Sequence, residues 1–264
     1  MSISRKRKIN EKLNDFEISS FRSINSSLGW LEIAASPFCA FYSSYLQQKQ
    51  PNATIETLQT QSRYLKVVQK LRTQIYYPRP SISKNVTVTL VIFSDAARAN
   101  DYGQLSFIAG VLLGPLKIGS IFYIISWQSH KSRRPVKSSA AAETLAAAEA
   151  IDEEKTLKST LTSVLQIDVP FYLVVDTKDL YTSLSTKKNS IDKSIRADVN
   201  VIRYEFETQN VNKIFWIPGS TNISDPGTKP KSSLSELLKI TMATGILQID
   251  LEKQESKSSN LPLG

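Results

Sequence analysis

From Val86 the chain sets apolar residues at every second position and then fills in the rest. Val86, Val88, Leu90 and Ile92 alternate with Thr87, Thr89, Val91 and Phe93, and the run meets Asp95. This pattern predicts a largely buried β-strand with a carboxylate at its end. Residues 104–114 (QLSFIAGVLLG) and 118–127 (IGSIFYIISW) predict two more strands, joined by a short turn at 115–117. Three strands with tight connections predict an antiparallel meander. The loop HKSRRPVKSS follows, and Ser138 or Ser139 is placed to cap the alanine-rich helix AAAETLAAAEAIDEEKTLKSTLTSVLQ, whose small side chains allow close packing on a sheet. Glu143 stands near its start. The acids Asp152, Glu153 and Glu154 further along are read as a solvated face.

The apolar-run-then-acid pattern recurs in PFYLVVD (170–176), ending in Asp176, and a short helical stretch KDLYTSLST comes next. In SIDKSIRADVNVIRYEFETQ, the residues Ile191, Ile195, Val199, Ile202 and Phe206 keep helical spacing, which leaves Lys193, Arg196 and Arg203 for solvent or a ligand. KIFWIPG (213–219) predicts the last strand, and Asp225 before Pro226 is expected at the start of a terminal helix. The element order is β-β-β-α-β-α-α-β-α. It implies an α/β fold, a mixed sheet covered by helices.

Residues 14–75 carry a different pattern. Leu28, Leu31, Ile33, Ala34 and Phe38 are spaced for a helix that Pro37 kinks or restarts. After Pro51, Ile55, Leu58, Tyr64, Leu65, Val68 and Leu71 form one face of a second amphipathic helix, with Arg63, Lys66, Lys70 and Arg72 on the other. The prolines of YYPRPSISKN (76–85) mark a linker. Three regions are expected: a basic helical segment over 1–80, the α/β domain over 86–250, and a polar, disordered tail over 251–264.

Charge sharpens this division. The formal net charge is +9, but residues 1–85 hold 13 Lys+Arg against 5 Asp+Glu and the remainder holds 20 against 19. A basic segment of this kind suits a polyanion, as it also suits plain solvation. Arg5, Lys6, Arg7 and Lys8 form a weak nuclear-address pattern. No apolar run of membrane-spanning length occurs and no apolar leader precedes the basic start, so the chain is expected to be intracellular, in cytoplasm or nucleus, without a membrane partner. One cysteine, Cys39, and one histidine, His130, exclude an intrachain disulfide and a zinc cluster. Any metal has to be held by oxygen.

Candidate chemistry lies in Asp95, Glu143, Asp176 and Asp225, each at an expected strand end or helix start. Taken singly, Asp95 reads first as a turn former that stops the strand. Together, carboxylates at the ends of neighbouring strands can converge, and their repulsion is relieved by cations between them. Oxygen-only ligands suit Mg²⁺, with Mn²⁺ an alternative. Two ions about 4 Å apart would favour phosphodiester hydrolysis.

The segments FSDAARAN, IISWQSHKSRRPVKSSAAAETLAAAEA, YLVVDTKDLYTSL and FWIPGSTNISDPGTKP carry a family likeness in both order and neighbourhood. Residues 86–245 resemble the ribonuclease H domain of a copia-type LTR retrotransposon Pol polyprotein. FRSINSSLGWLEIAASPFCAFYSSYLQQ and RYLKVVQKLR resemble the closing segment of the reverse transcriptase that precedes it. The resemblance implies a ribonuclease H-like mixed sheet, three antiparallel strands then alternating strands and helices. It also implies a metal-dependent endonuclease that cuts the RNA strand of RNA·DNA hybrids. By carry-over, Asp95, Glu143, Asp176 and Asp225 would be catalytic metal ligands for two Mg²⁺ ions. His130, Lys131, Arg133, Arg134, Lys137, Lys187, Lys188, Lys193 and Arg196 would face the hybrid's phosphates. The chain departs from the family at Thr144, Thr177 and Ser224, and no histidine lies between Asp176 and Asp225 to serve as a mobile acid or base. No Tyr-x-Asp-Asp motif is present, so no polymerase activity is expected from this chain alone; the remainder of a reverse transcriptase is a possible partner. The alternative is a decayed or domesticated remnant that binds nucleic acid or a protein without cutting.

Overall fold

A computed structural model of the chain describes residues 8–71, 74–80, 86–99, 102–185, 193, 195–229 and 235–253. Tertiary contacts divide the chain at Gln74/Ile75 into two compact units.

The first unit is helical. Helix α1 (Asp15–Ala35) begins at a reciprocal cap: the Asn14 side chain accepts from the Glu17 N–H at 2.9 Å, and the Glu17 carboxylate accepts from the Asn14 N–H at 2.9 Å. Both donors would otherwise be orphaned at the helix start. Pro37 restarts the chain as the first residue of α2 (Pro37–Lys49), where a missing N–H costs nothing. Helix α3 (Ile55–Leu71) closes the unit, and Phe21, Leu28, Leu46, Ile55 and Leu58 form its core. A buried polar link runs through it: Gln61 Nε2 donates to the Phe21 carbonyl at 2.9 Å and to Asn25 Oδ1 at 2.7 Å.

The second unit is built on a five-stranded sheet in the order β3-β2-β1-β4-β5. Strands β1 (Val88–Ala99), β2 (Tyr102–Leu113) and β3 (Ile121–Lys131) form the antiparallel meander, and β4 (Phe171–Val175) and β5 (Lys213–Trp216) add in parallel on the free side of β1. This is the mixed sheet that was expected, three antiparallel strands followed by parallel ones. Central β1 is buried on both faces, which explains its nearly continuous apolar run. Leu90 and Ile92 join the core beneath helix α4 (Ser139–Leu165), whose Ala142, Ala146, Ala147 and Ala150 let it approach closely. On the opposite face Phe93 meets Phe122 edge to face, ring centres 5.9 Å apart. Helices α5 (Lys178–Ser185) and α6 (Arg196–Glu207) connect the parallel strands, and α7 (Ser235–Thr244) follows the sheet.

Several local expectations are corrected. Asp95 does not end its strand: β1 continues to Ala99 because the hairpin with β2 stays paired to Ala99 opposite Tyr102. His130 and Lys131 belong to β3 rather than to a loop, since Lys131 pairs with Gln104. Asp225 opens a short 3-10 turn, Asp225–Gly227, rather than the terminal helix, and α7 covers Ser235–Thr244. Pro226 and Gly227 favour that tight turn, and the Thr228 hydroxyl lies 3.0 Å from the Asp225 carbonyl. Glu154 leaves the solvated face: it is buried, and a hydrogen bond from Ser126 reaches its carboxyl. Leu251, placed in the polar tail by sequence, is buried and its N–H donates to the Leu116 carbonyl at 2.9 Å; residues 254–264 lie outside the described residues. No helix among the described residues is long and apolar enough to cross a membrane.

Candidate metal centre

Each acid is delivered by a different element. Asp95 lies opposite Ser106 on β1, Glu143 is on the second turn of α4, Asp176 follows the last residue of β4, and Asp225 starts the 3-10 turn. The parallel pairing of β4 with β1 sets Phe93 level with Val174, which brings Asp95 and Asp176 to the same end of the sheet. Helix α4 crosses β1, and the Ala96 N–H donates to the Glu143 carboxylate. Oxygens of Asp95, Glu143 and Asp176 thereby lie within 4.8 Å of one another. Asp225 stands beside this trio, close enough to raise the proton affinity of Asp95 and Asp176.

Gathering acids in a protein interior is costly, and the protonation equilibria record the cost. Burial foremost, then the charges of Asp95 and Asp176, pushes Glu143 up to about 10. Burial, then Asp176, pushes Asp95 up to about 7. Burial raises Asp176 as well, against a hydrogen bond from Asn222 and the charge of Lys229. All three carboxylates can ionise together only if cations stand among them. The donor set is entirely oxygen, hard and anionic, and so fits Mg²⁺ or Mn²⁺ rather than a soft thiophilic ion.

One segment, Asn222 to Lys229, supplies a donor to three of the four acids, and the sequence reading assigned none of these donors a role. Asn222 is fully buried. Its Nδ2 donates to the Ser94 carbonyl at 2.8 Å and to Asp176 Oδ2 at 3.3 Å, while its Oδ1 accepts from the Ser224 N–H at 3.1 Å and hydroxyl at 2.7 Å. The Thr228 hydroxyl donates to Asp95 Oδ2, and the Lys229 ammonium to Asp225 Oδ1. Sheet residues hold the segment: Gln104 Nε2 donates to Ser129 Oγ at 2.8 Å, and Ser129 Oγ to the Gly227 carbonyl at 2.6 Å. Glycine is required at 227, where a Cβ would fall 1.9 Å from Ser106 Oγ. The available signal was Thr and Lys three and four residues after Asp225, a spacing that folds donors back onto the preceding turn.

The predicted phosphate-facing residues are not gathered to the same degree. His130 Nε2 lies 2.7 Å from Glu149 of α4 and is partly buried. Arg134 is engaged by Asp198 of α6. Lys131, Arg133 and Lys137 are exposed around the loop that follows β3, and Lys193 and Arg196 are exposed at the entry to α6. The Arg134–Asp198 pair and a small cleft between Val136 and Ile195 bring that loop beside the entry to α6. Lys187 and Lys188 lie outside the described residues.

No family model matches the sequence, and no curated protein matches it either. Among solved structures, the chain is similar to ribonuclease H1 from the halophilic archaeon Halobacterium salinarum NRC-1, at 16% identity and a TM-score of 0.36 over 52% of this chain and 92% of that one. It is also similar to LC11-RNase H1 in complex with an RNA/DNA hybrid, at 14% identity and a TM-score of 0.39 over 52% of this chain and 91% of that one. A third likeness is to the PFV RNase H domain, at 12% identity and a TM-score of 0.33 over 61% of this chain and 93% of that one.

Proposed function

We propose that this chain is a metal-dependent endonuclease that hydrolyses the RNA strand of RNA·DNA hybrids, and that it derives from a copia-type retrotransposon polyprotein. The observation that carries the reading is the convergence of Asp95, Glu143 and Asp176 within 4.8 Å, with Asp225 beside them. Four acids from four elements, three of them driven toward protonation, form an arrangement that disfavours stability unless a divalent ion balances it.

Asp95, Glu143 and Asp176 would hold two Mg²⁺ ions, or Mn²⁺, with Asp225 completing the site. Bound there, the ions would activate a water and stabilise the departing oxygen of a phosphodiester. The chain's own residues do the positioning. Thr228 and Asn222 fix the carboxylates of Asp95 and Asp176, and β1 and α4 hold Asp95 and Glu143 on rigid elements. Lys131, Arg133, Lys137, Lys193 and Arg196 supply positive charge for the hybrid's backbone, with Lys187 and Lys188 assigned to the same role from sequence. With His130 tied to Glu149, proton transfer to the leaving group falls to solvent. The helical first unit would pair with the remainder of a reverse transcriptase.

The test is hydrolysis of a labelled RNA·DNA hybrid with Mg²⁺ by the full chain, by Asp95→Asn and by Asp176→Asn. Cleavage by the parent alone is expected, with each variant reduced at least about 100-fold. Equal background signal from all three would replace this reading with that of a non-cutting remnant.

A further inference from the structure

We propose that Lys229 is a tethered counter-cation of the carboxylate site, one that holds the place of a divalent ion and must leave Asp225 before that ion can bind. The proposal rests on the reading of the four acids as a metal site.

Three observations carry it. The first is placement. Thr228 is anchored to Asp95 and lies 3.0 Å from the Asp225 carbonyl, so the next residue starts from a fixed point at the rim of the cluster. The second is reach. The Lys229 ammonium pairs directly with Asp225, and the residue before it, Thr228, is bonded to Asp95. A single cation thus stands at the edge of the carboxylate site, paired with one of its acids, as a metal ion would. The third is mobility. The Lys229 side chain is 50% exposed while that of Asp225 is 11% exposed, so the ammonium can swing into water on its flexible stem without exposing the acid or disturbing the core. Lysine suits this role better than arginine does: its charge is compact and nearly point-like, whereas a guanidinium would demand a planar, two-pronged seat.

The consequence is competition. A divalent ion next to the ammonium would meet Coulomb repulsion, so binding it costs the work of breaking the Lys229–Asp225 pair. The segment therefore sets a threshold for metal and offsets the repulsion among the acids below it.

Isothermal calorimetry of the full chain with MgCl₂ at low salt and constant pH tests this, alongside thermal unfolding in chelator. Lys229→Met keeps an unbranched, flexible stem and removes the charge. It is expected to bind Mg²⁺ roughly three- to tenfold more tightly, to unfold at lower temperature in chelator, and to show a larger Mg²⁺-induced rise. Lys229→Arg keeps the charge and is expected to stay closer to the parent than either neutral variant, and Lys229→Gln to behave as Lys229→Met does. Unchanged or weaker Mg²⁺ binding by both neutral variants overturns the proposal, and so does a parent that binds no Mg²⁺. Hybrid cleavage by the same preparations separates the two readings. Tightened binding without cleavage keeps the counter-cation and removes the nuclease, whereas cleavage with unaltered affinity does the reverse.

Discussion

Replacing Asp95 by asparagine should make the metal-free protein more stable, although it removes a group proposed as essential. Burial first, and Asp176 next, raise the Asp95 carboxyl from 3.8 to about 7. A carboxyl raised in this way binds its proton more tightly folded than unfolded. Its contribution is therefore complete below the unfolded value near 4 and is lost as pH rises through about 7. The whole span corresponds to about 4 kcal/mol, of which about 2–3 kcal/mol falls between about pH 5 and pH 8. Asparagine is neutral at every pH and nearly the same shape, and its oxygen can still accept from Thr228. We expect Asp95→Asn to lead the parent by about 1–2 kcal/mol at about pH 5 in chelator, and that lead to grow to about 4 kcal/mol at about pH 8. In a chain of this size the growth of about 2–3 kcal/mol between the two pH values is roughly 4–10 °C in Tm. Added Mg²⁺ should reverse the order, because the metal stabilises only a site that holds it. Chemical denaturation at the two pH values, with and without Mg²⁺, measures all of this. Parallel stability curves for the two proteins across the pH range would refute the claim that Asp95 is held against its ionisation.

Two further outcomes probe the segment that feeds donors into the site. Thr228→Val deletes the hydroxyl that donates to buried Asp95 and should cost about 1–3 kcal/mol, more at about pH 8 than at about pH 5 because the lost bond favours the ionised form; denaturation that shows less than about 0.5 kcal/mol at either pH sinks the assignment. Gly227→Ala drives a methyl into Ser106, which is itself buried in β2. It should cost about 1–3 kcal/mol and weaken Mg²⁺ binding measured by calorimetry, and the double variant with Ser106→Gly should recover most of that binding; non-recovery would show that the contact is not what positions Asp225 and Thr228.

The order of elements was legible in sequence because burial writes itself into periodicity. The unbroken apolar run before Asp95 marked a strand covered on both faces, and the alanines around Glu143 marked a helix that packs closely on a sheet. Pro37 marked a restart. Local charge was less informative. Asp152, Glu153 and Glu154 look alike in sequence, yet only Glu154 turns inward, toward Ser126. The loop basics form one run in sequence, but Arg134 is taken up by Asp198 and His130 by Glu149.

The sequence by itself determined which residue types were available and which strand or helix would carry them: four acids, an all-oxygen donor set, a basic first segment, and a β-β-β-α-β-α-α-β-α order. Tertiary structure alone decided how near those acids come and who neutralises them. Thr228 and Asp95 are 133 positions apart, and Asn222 and Asp176 are 46 apart. Periodicity along a chain reports only which side of an element is buried. Distances across the sheet are set by strand register, by the parallel crossover and by a 3-10 turn that fits only because position 227 lacks a Cβ, and none of these is a property of any short stretch.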